Sequence, residues 1–129
     1  MRLLLDTHVV LWALGAPKQL EPRARKAIES PASDVLVSAV SVWEIAIKEG
    51  LGKLRLPGPA AEWLPDAFSS AGFRTLNVTP HHALAAGALP SHHRDPFDRM
   101  LAAQALAEGL TLVTRDARFG DYGVRVLAA

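Results

Sequence analysis

The sequence predicts an α/β fold in which a mostly parallel sheet of about five strands is covered by helices on both faces. Short apolar runs alternate along the chain with longer segments of helical character, which is the order that βαβ units produce. The first two runs, Leu3–Leu5 and Val35–Val37, are apolar at every position. Strands with this composition are typical of a parallel sheet whose two faces are both buried.

Length and composition narrow the class of protein. A chain of 129 residues has the usual size of one domain, so we expect a single domain over residues 1–129. The absence of cysteine excludes disulfides, cysteine-ligated zinc and thiol catalysis. The apolar run Leu3–Leu5 ends at Asp6 and is too short for a signal core or a membrane span. We therefore expect a cytoplasmic protein without membrane segments.

The amino-terminal half is predicted to contain two strands and four helices. Pro22 suits the first turn of a helix, Gly50 suits a helix end, and Pro57-Gly58-Pro59 breaks the chain before the next helix. In chain order the predicted elements are the strand Arg2–Leu5, a helix from Asp6 to Gly15, a helix over Glu21–Ser30, the strand Val35–Ser38, a helix over Val40–Glu49 and a helix through Trp63 and Phe68.

The carboxyl-terminal half is predicted to contain three strands and two helices. Pro80 opens one helix, and Asp95-Pro96 is a strong start signal for the other. In chain order the predicted elements are the strand Phe73–Asn77, a helix from Pro80 to Ala88, a helix over Phe97–Glu108, the strand Leu110–Thr114 and the strand Val124–Leu127.

Four carboxylates are predicted to meet at one edge of this sheet. Asp6 follows the first strand and Asp116 follows the fourth; Glu44 lies early in the helix after the second strand, and Asp98 lies in the first turn of the helix that Asp95-Pro96 begins. Ligands of open parallel sheets bind beyond the carboxyl ends of the strands. These acids, drawn from distant parts of the chain, are therefore candidates for one functional site.

Each acid also has a structural alternative. Asp6 and Asp95 suit helix N-caps, and Glu44 could form a capping box with Ser41 or an ion pair with Lys48. The apolar stripe formed by Val40, Trp43, Ile47 and Leu51 favours an inward-facing ligand role for Glu44, because an unpaired buried carboxylate is costly. For Asp95 we favour the cap, and for Asp98 an inward-facing position beside Leu101, Ala102 and Ala105.

Four inward-facing carboxylates would repel one another in a partly buried site. A hard divalent cation such as Mg²⁺ or Mn²⁺ relieves this repulsion and accepts oxygen ligands. Metal-bound water supplies a nucleophile, and the cation neutralises charge on a phosphate. The pairs His81-His82 and His92-His93 lack the i, i+4 spacing that places two imidazoles on one helical face, so we expect exposed histidines instead of a zinc site.

Four sequence blocks together resemble PIN-domain ribonucleases, specifically the VapC-like toxins of bacterial type II toxin–antitoxin pairs. They fall in that family's order and extend over nearly the whole chain: Leu5-Asp6-Thr7-His8, Ser38-Ala39-Val40-Ser41-Val42-Trp43-Glu44-Ile45, Asp95-Pro96-Phe97-Asp98-Arg99-Met100-Leu101 with Ala103-Gln104-Ala105, and Val113-Thr114-Arg115-Asp116. The resemblance implies an α/β/α sandwich and the hydrolysis of RNA phosphodiester bonds with Mg²⁺ or Mn²⁺.

The resemblance also implies roles for residues and a set of partners. Asp6 and Asp98 would hold the metal most directly, Glu44 and Asp116 would complete the site or orient water, and Thr114 would support them. The expected partners are RNA, a cognate antitoxin and a second copy in a homodimer. Four arginines flank the acids and are expected to contact RNA phosphates: Arg94, Arg99, Arg115 and Arg118.

Two non-catalytic alternatives remain open at the level of sequence. A phosphate-receiver domain also places an Asp after its first strand, but it normally carries a second acid beside that Asp, and Thr7-His8 does not supply one. A binding module that keeps an acidic cluster without catalysis is the other alternative. Metal-dependent cleavage of RNA by the purified protein distinguishes an enzyme from both.

Overall fold

The structure is a computed structural model that describes all 129 residues. Its five strands are β1 (Arg2–Leu5), β2 (Asp34–Ser38), β3 (Arg74–Leu76), β4 (Thr111–Thr114) and β5 (Val126–Ala128). Its six α-helices are α1 (Thr7–Gly15), α2 (Pro22–Glu29), α3 (Ala39–Gly50), α4 (Ala60–Ala71), α5 (Pro80–Ala88) and α6 (Pro96–Glu108). Two short 3-10 segments, Pro17–Gln19 and Ala117–Tyr122, were not predicted from the sequence.

The strands form one sheet in the order β3-β2-β1-β4-β5, and every neighbouring pair is parallel. This confirms the predicted α/β fold. From β1 the chain builds outward through β2 to β3 and then crosses to β4 on the other side of β1. The sheet therefore reverses its building direction between β1 and β4, and the carboxyl ends of these two strands are where a ligand site is expected.

Helices cover both faces of the sheet. Because side chains alternate across a strand, Leu3 and Leu5 pack into one buried cluster with residues of α1, α2 and α4, while Leu4 packs into a second cluster with residues of α6. The polypeptide thus has the three-layer α/β/α arrangement, with Leu3, Leu4 and Leu5 of β1 fully buried in its centre. No helix is both long enough and apolar enough to cross a bilayer.

The predicted apolar stripe of α3 is wrong. Trp43 is 62% exposed and Leu51 is 64% exposed, whereas the residues that α3 buries are Val40, Ser41 and Ile45. Ser41 does not form the capping box considered above, because it is buried and its hydroxyl accepts a hydrogen bond of 2.9 Å from that of Thr7. The N-cap of α3 is Ser38 instead, whose hydroxyl accepts from the Val40 amide.

Candidate active site

The four predicted acids lie in one open cleft of about 510 Å³ at the carboxyl edge of the sheet. Asp6 directly follows β1, and Asp116 follows β4. Glu44 lies in α3, and Asp98 lies in the first turn of α6. Since α6 leads into the parallel strand β4, it runs in the opposite direction and begins at the edge where the strands end. The cleft is also lined by Asp95 and by His8, Val9, Trp12, Lys48, Thr114 and Arg115.

Asp6 is held in place by hydrogen bonds to its neighbour Thr7 and to Val113 and Thr114 of β4. Its amide donates to the carbonyl of Val113, and its Oδ2 accepts a 2.7 Å hydrogen bond from the hydroxyl of Thr114. Its Oδ1 accepts from the Thr7 amide, so it is also the N-cap of α1. Burial raises the pKa of Asp6, although the bond from Thr114 opposes this shift. Capping and a place in the cleft are therefore compatible for this residue.

Asp98 differs from Asp6 because its carboxylate accepts no hydrogen bond and forms no ion pair within the protein. It is half-buried, and burial together with the nearby charges of Asp95 and Asp6 raises the pKa of Asp98 to about 6. Asp95 instead caps α6 and accepts from the amides of Phe97 and Asp98 at 2.8 and 3.3 Å. The capping role predicted for Asp95 is confirmed, and the unpartnered acid of the pair is Asp98.

Glu44 and Asp116 line the cleft, and each forms an ion pair with a basic side chain. Glu44 forms an ion pair with Lys48 at 3.0 Å, which is one of its two structural alternatives, and its side chain is 14% exposed. Asp116 accepts from the guanidinium of Arg118 at 2.8 and 3.0 Å and lies 2.8 Å from Nε2 of His93. Hydrogen bonds from Arg118 and His93 hold the pKa of the Asp116 carboxyl well below its usual range.

In this conformation no three histidine, aspartate or glutamate side chains lie close enough together to bind one metal ion. The chemistry of the cleft nevertheless fits a hard divalent cation, because its acidic side chains supply only oxygen donors. The charges of Asp6, Asp95 and Glu44 also act on the unpartnered Asp98, and a bound cation would offset that repulsion. Glu44 and Asp116 would have to give up part of their present contacts to join such a site.

The four predicted arginines occupy different environments. Arg115 lines the cleft and stacks on Trp12, with its guanidinium carbon 4.0 Å from the ring centre. Arg118 forms an ion pair with Asp116, and its side chain is 65% exposed. Arg94 is exposed and has no side-chain hydrogen bond within the protein.

The prediction for Arg99 needs correction. Its guanidinium donates to five backbone carbonyls between 2.8 and 3.4 Å, those of Ala86, Gly87, Leu89, Pro90 and His93. These bonds satisfy the last turn of α5 and fix the connection between α5 and α6. All of these bonds come from Nη1 and Nη2. Both terminal amino groups of Arg99 are therefore committed to the protein backbone, and Arg99 does not line the cleft.

Sequence reasoning missed two buried histidines. His82 and His93 are 3% and 4% exposed, although exposed histidines were expected. Nδ1 of His82 accepts from the Thr79 amide in a capping box at the start of α5. Nε2 of His93 lies 2.8 Å from Oδ2 of Asp116. Only the position of His93, two residues before Asp95, hinted at a place near the cleft.

Comparison with known proteins identifies the family. The PIN domain matches residues 3–124 of this chain. The chain belongs to the PIN domain family. It is 38% identical over 120 residues to ribonuclease VapC22 of Mycobacterium tuberculosis, a match covering 92% of this chain and 90% of that protein. Ribonuclease VapC16 of the same organism is 40% identical over 58 residues, covering 45% of this chain and 41% of that protein.

Solved structures show the same PIN fold. The VapBC2 structure from Rickettsia felis, bound to a promoter DNA fragment, superposes with a TM-score of 0.74 at 16% identity and covers 99% of this chain and 98% of that one. The FitAcB structure from Neisseria gonorrhoeae gives a TM-score of 0.61 at 26% identity, covering 97% and 96%. PIN-domain ribonucleases generally depend on divalent metal ions, in agreement with the donor chemistry of the cleft.

Proposed function

We propose that this protein is a metal-dependent endoribonuclease that hydrolyses RNA phosphodiester bonds and acts as the toxin of a bacterial toxin–antitoxin pair. The observation that carries the proposal is that Asp6 and Asp98 line the same cleft, at the carboxyl ends of β1 and β4 where the strand order reverses. The carboxylate of Asp98 accepts no hydrogen bond and forms no ion pair, and burial together with the charges of Asp95 and Asp6 raises its pKa to about 6. Similarity to ribonuclease VapC22 over nearly the whole chain supports the same activity.

The four acids would have different roles at one Mg²⁺ site, where Mn²⁺ could replace Mg²⁺. Asp6 and Asp98 would hold the ion, and Glu44 and Asp116 would complete its surroundings or orient water. Bound there, the ion would activate water and neutralise charge on the phosphate. Thr114 keeps Asp6 oriented through its 2.7 Å hydrogen bond.

Exposed arginines would hold the RNA strand across the cleft. Arg115 keeps a fixed plane on Trp12 and also donates to the carbonyl of Gln19, so its guanidinium is positioned before RNA arrives. Arg94 and Arg118 are exposed and suit phosphate contacts, which position the substrate without reading its sequence. Affinity for RNA should therefore fall steeply with salt.

The toxin role rests on the relatives. The solved structures include VapBC2 from Rickettsia felis and a toxin–antitoxin complex from Klebsiella pneumoniae, which covers 96% of this chain with a TM-score of 0.63 at 18% identity. We propose that this chain likewise has a cognate antitoxin whose peptide covers the acidic cleft. We also propose a homodimer that acts in the cytoplasm as one PIN domain over residues 1–129.

RNA cleavage by the purified protein tests the proposal. Single-stranded or looped RNA should be cut with Mg²⁺ or Mn²⁺, and EDTA should stop the reaction. Asp98→Asn should lower the rate by more than the 10–100-fold typical of residues that only support metal ligands. The matched variant Asp95→Asn should keep most of the activity, because Asn also caps helices well.

Two results would count against the proposal. Equal loss of activity in Asp95→Asn and Asp98→Asn would mean that the wrong acid of the pair has been assigned to the metal. Metal binding without any cleavage would favour a non-catalytic acidic module. In bacteria, expression of the chain alone should arrest growth in a manner that requires Asp98, and coexpression of the antitoxin should relieve the arrest.

A further inference from the structure

His93 is a buried histidine at the cleft that the proposed mechanism does not use. It lies in the connection between α5 and α6, and its side chain is 2% exposed. Its ring stacks on Phe119, with 4.5 Å between ring centres, and on Tyr122, with 5.4 Å. Arg99 fixes the backbone of His93 by donating to its carbonyl. The imidazole is therefore held in both position and plane.

The hydrogen bonds of Tyr122 determine which ring nitrogen of neutral His93 carries the proton. The phenol oxygen accepts a 2.8 Å bond from the His93 backbone amide, which can only donate. The phenol proton then remains for Nδ1 of the same residue at 3.0 Å. With Nδ1 as the acceptor, the ring proton lies on Nε2, since neutral imidazole has one donor and one acceptor. Nε2 accordingly donates to Oδ2 of Asp116 at 2.8 Å.

The two partners of Asp116 differ in how firmly the protein holds them. The Arg118 side chain is 65% exposed, so it could leave Asp116 for an incoming phosphate without disturbing the packing of the core. The ring of His93 stacks on those of Phe119 and Tyr122 and cannot withdraw without opening the packing around Phe119, a fully buried side chain. When Arg118 leaves Asp116, the bond from His93 remains.

We propose that His93 is a positioning residue that orients the Asp116 carboxylate toward the cleft through its Nε2–H, with Tyr122 fixing the tautomer. The inference rests on the proposed function, in which Asp116 serves the metal site. Carboxylates that bind metals are commonly held by such an outer hydrogen bond, and loss of the outer partner weakens metal binding. If His93 served only to pack the core, any side chain that filled its space would leave metal binding unchanged.

Nitrogen NMR of the protein tests the tautomer without substrate. In the parent protein, long-range correlations from the ring protons of His93 should show a protonated Nε2 and an unprotonated Nδ1. Asp116→Asn should shift the Nε2–H proton resonance upfield, because a charge-assisted hydrogen bond becomes a neutral one. A proton on Nδ1 instead of Nε2, or an Nε2–H resonance unchanged in Asp116→Asn, would overturn the inference.

Titration with Mn²⁺, followed calorimetrically, tests the consequence for binding. His93→Phe keeps an aromatic ring against Phe119 and Tyr122 but removes the Nε2–H donor. The dissociation constant for Mn²⁺ should then rise about 10–100-fold. His93→Gln places an amide N–H near the position of Nε2 and should recover most of that loss. The matched control is His92→Phe, at a residue that also packs on Tyr122 but does not contact Asp116; it should bind Mn²⁺ like the parent.

Melting temperatures of the same variants separate folding from positioning. Recovery of Mn²⁺ affinity by His93→Gln but not by His93→Phe supports the inference even where both variants melt lower than the parent. Parent-like Mn²⁺ binding by His93→Phe, or equal loss in His93→Phe and His93→Gln, contradicts it. A parent protein that binds no Mn²⁺ would contradict the proposed function, while the NMR experiment would still decide how Asp116 is held.

Discussion

Residues of one chemical type behave differently in this cleft because their neighbours differ. Asp116 receives hydrogen bonds from a guanidinium and an imidazole, which hold its pKa low. Asp98 receives none, and burial with the charges of Asp95 and Asp6 raises its pKa to about 6. The two residues lie in the same cleft and have opposite shifts. Asp98 is therefore a carboxyl group of the cleft that changes its charge in weak acid.

The stability of Asp98→Asn should differ from that of the parent in a pH-dependent way. The folded pKa of Asp98 lies above its unfolded value, so the folded state favours the protonated form, and the parent loses stability as pH rises from about 4 to about 6. The variant has no such loss. In EDTA above pH 7, its free energy of unfolding should exceed that of the parent by about 1 kcal/mol, after allowance for solvent screening of a half-exposed group.

Urea unfolding of both proteins at pH 4, 5, 6 and 7 measures this difference. The two free energies should be similar near pH 4 and should separate as pH rises. A constant difference across the series, or a variant less stable than the parent at pH 7, would show that the pKa of Asp98 is not raised in the folded protein.

Sequence order identified the acids of the cleft but not the groups that hold them. Asp6 and Asp116 follow strands, and Asp98 follows a cap signal, so their shared edge could be read from chain order alone. The contact of His93 with Asp116 joins residues 23 positions apart. The aromatic rings that stack on His93 belong to a 3-10 segment that no periodic pattern predicted. The five carbonyls that accept from Arg99 are backbone atoms, which have no sequence signature at all.

At the level of elements, the connection between α5 and α6 is a structured part of the site. Arg99 on α6 reaches back to the carbonyls of this connection, including that of His93. The same connection ends at Asp95, which caps α6. One arginine therefore fixes the start of the helix that presents Asp98 and the loop that presents His93.

Arg99→Ala should destabilise the protein, whereas Arg94→Ala should not. Loss of the guanidinium leaves several carbonyls without a donor, and a single hydrogen bond to a charged group contributes about 1.5–3 kcal/mol. We expect Arg99→Ala to lower the free energy of unfolding by at least that amount. Arg94 is exposed and should change stability by no more than about 0.5 kcal/mol while weakening binding of RNA.

Thermal unfolding and RNA binding, measured on both variants, separate the two roles. A stable Arg99→Ala protein with weakened RNA affinity would restore Arg99 as a phosphate contact.

Helix α3 shows where element-level inference failed. The spacing of Val40, Trp43, Ile47 and Leu51 fits one helical face, yet Trp43 and Leu51 are exposed. Trp43 packs its ring edge against Phe97 of α6 with 5.3 Å between ring centres, so it contacts a neighbouring helix at the surface of the molecule. Hydrophobic periodicity identifies a face but does not say whether the protein itself covers it.

At the scale of the whole molecule, metal binding and folding should be coupled. Asp6 follows β1 and Asp98 lies in the first turn of α6, so the two acids come from distant parts of the chain. A cation held by both exists only in the folded state. Binding should therefore stabilise the entire domain and not merely the cleft.

Mg²⁺ should raise the melting temperature of the parent but not that of Asp98→Asn. At a hundred times its dissociation constant, a ligand of the native state adds about 2.7 kcal/mol, which corresponds to roughly 8–13 °C for a chain of this size. Scanning calorimetry of both proteins, in EDTA and in Mg²⁺, measures the effect. An equal response of the two proteins to Mg²⁺ would remove Asp98 from the metal site.

The bond between Thr114 and Asp6 joins residues 108 positions apart, which has a consequence for the order of events during translation. Asp6 is synthesised 108 residues before Thr114, which orients it from the end of β4. Until β4 pairs with β1 the central strand has one open edge, and the cleft lacks both Thr114 and Asp116. We therefore expect a nascent chain of the proposed nuclease to be inactive toward the messenger that encodes it until β4 has emerged and docked on β1.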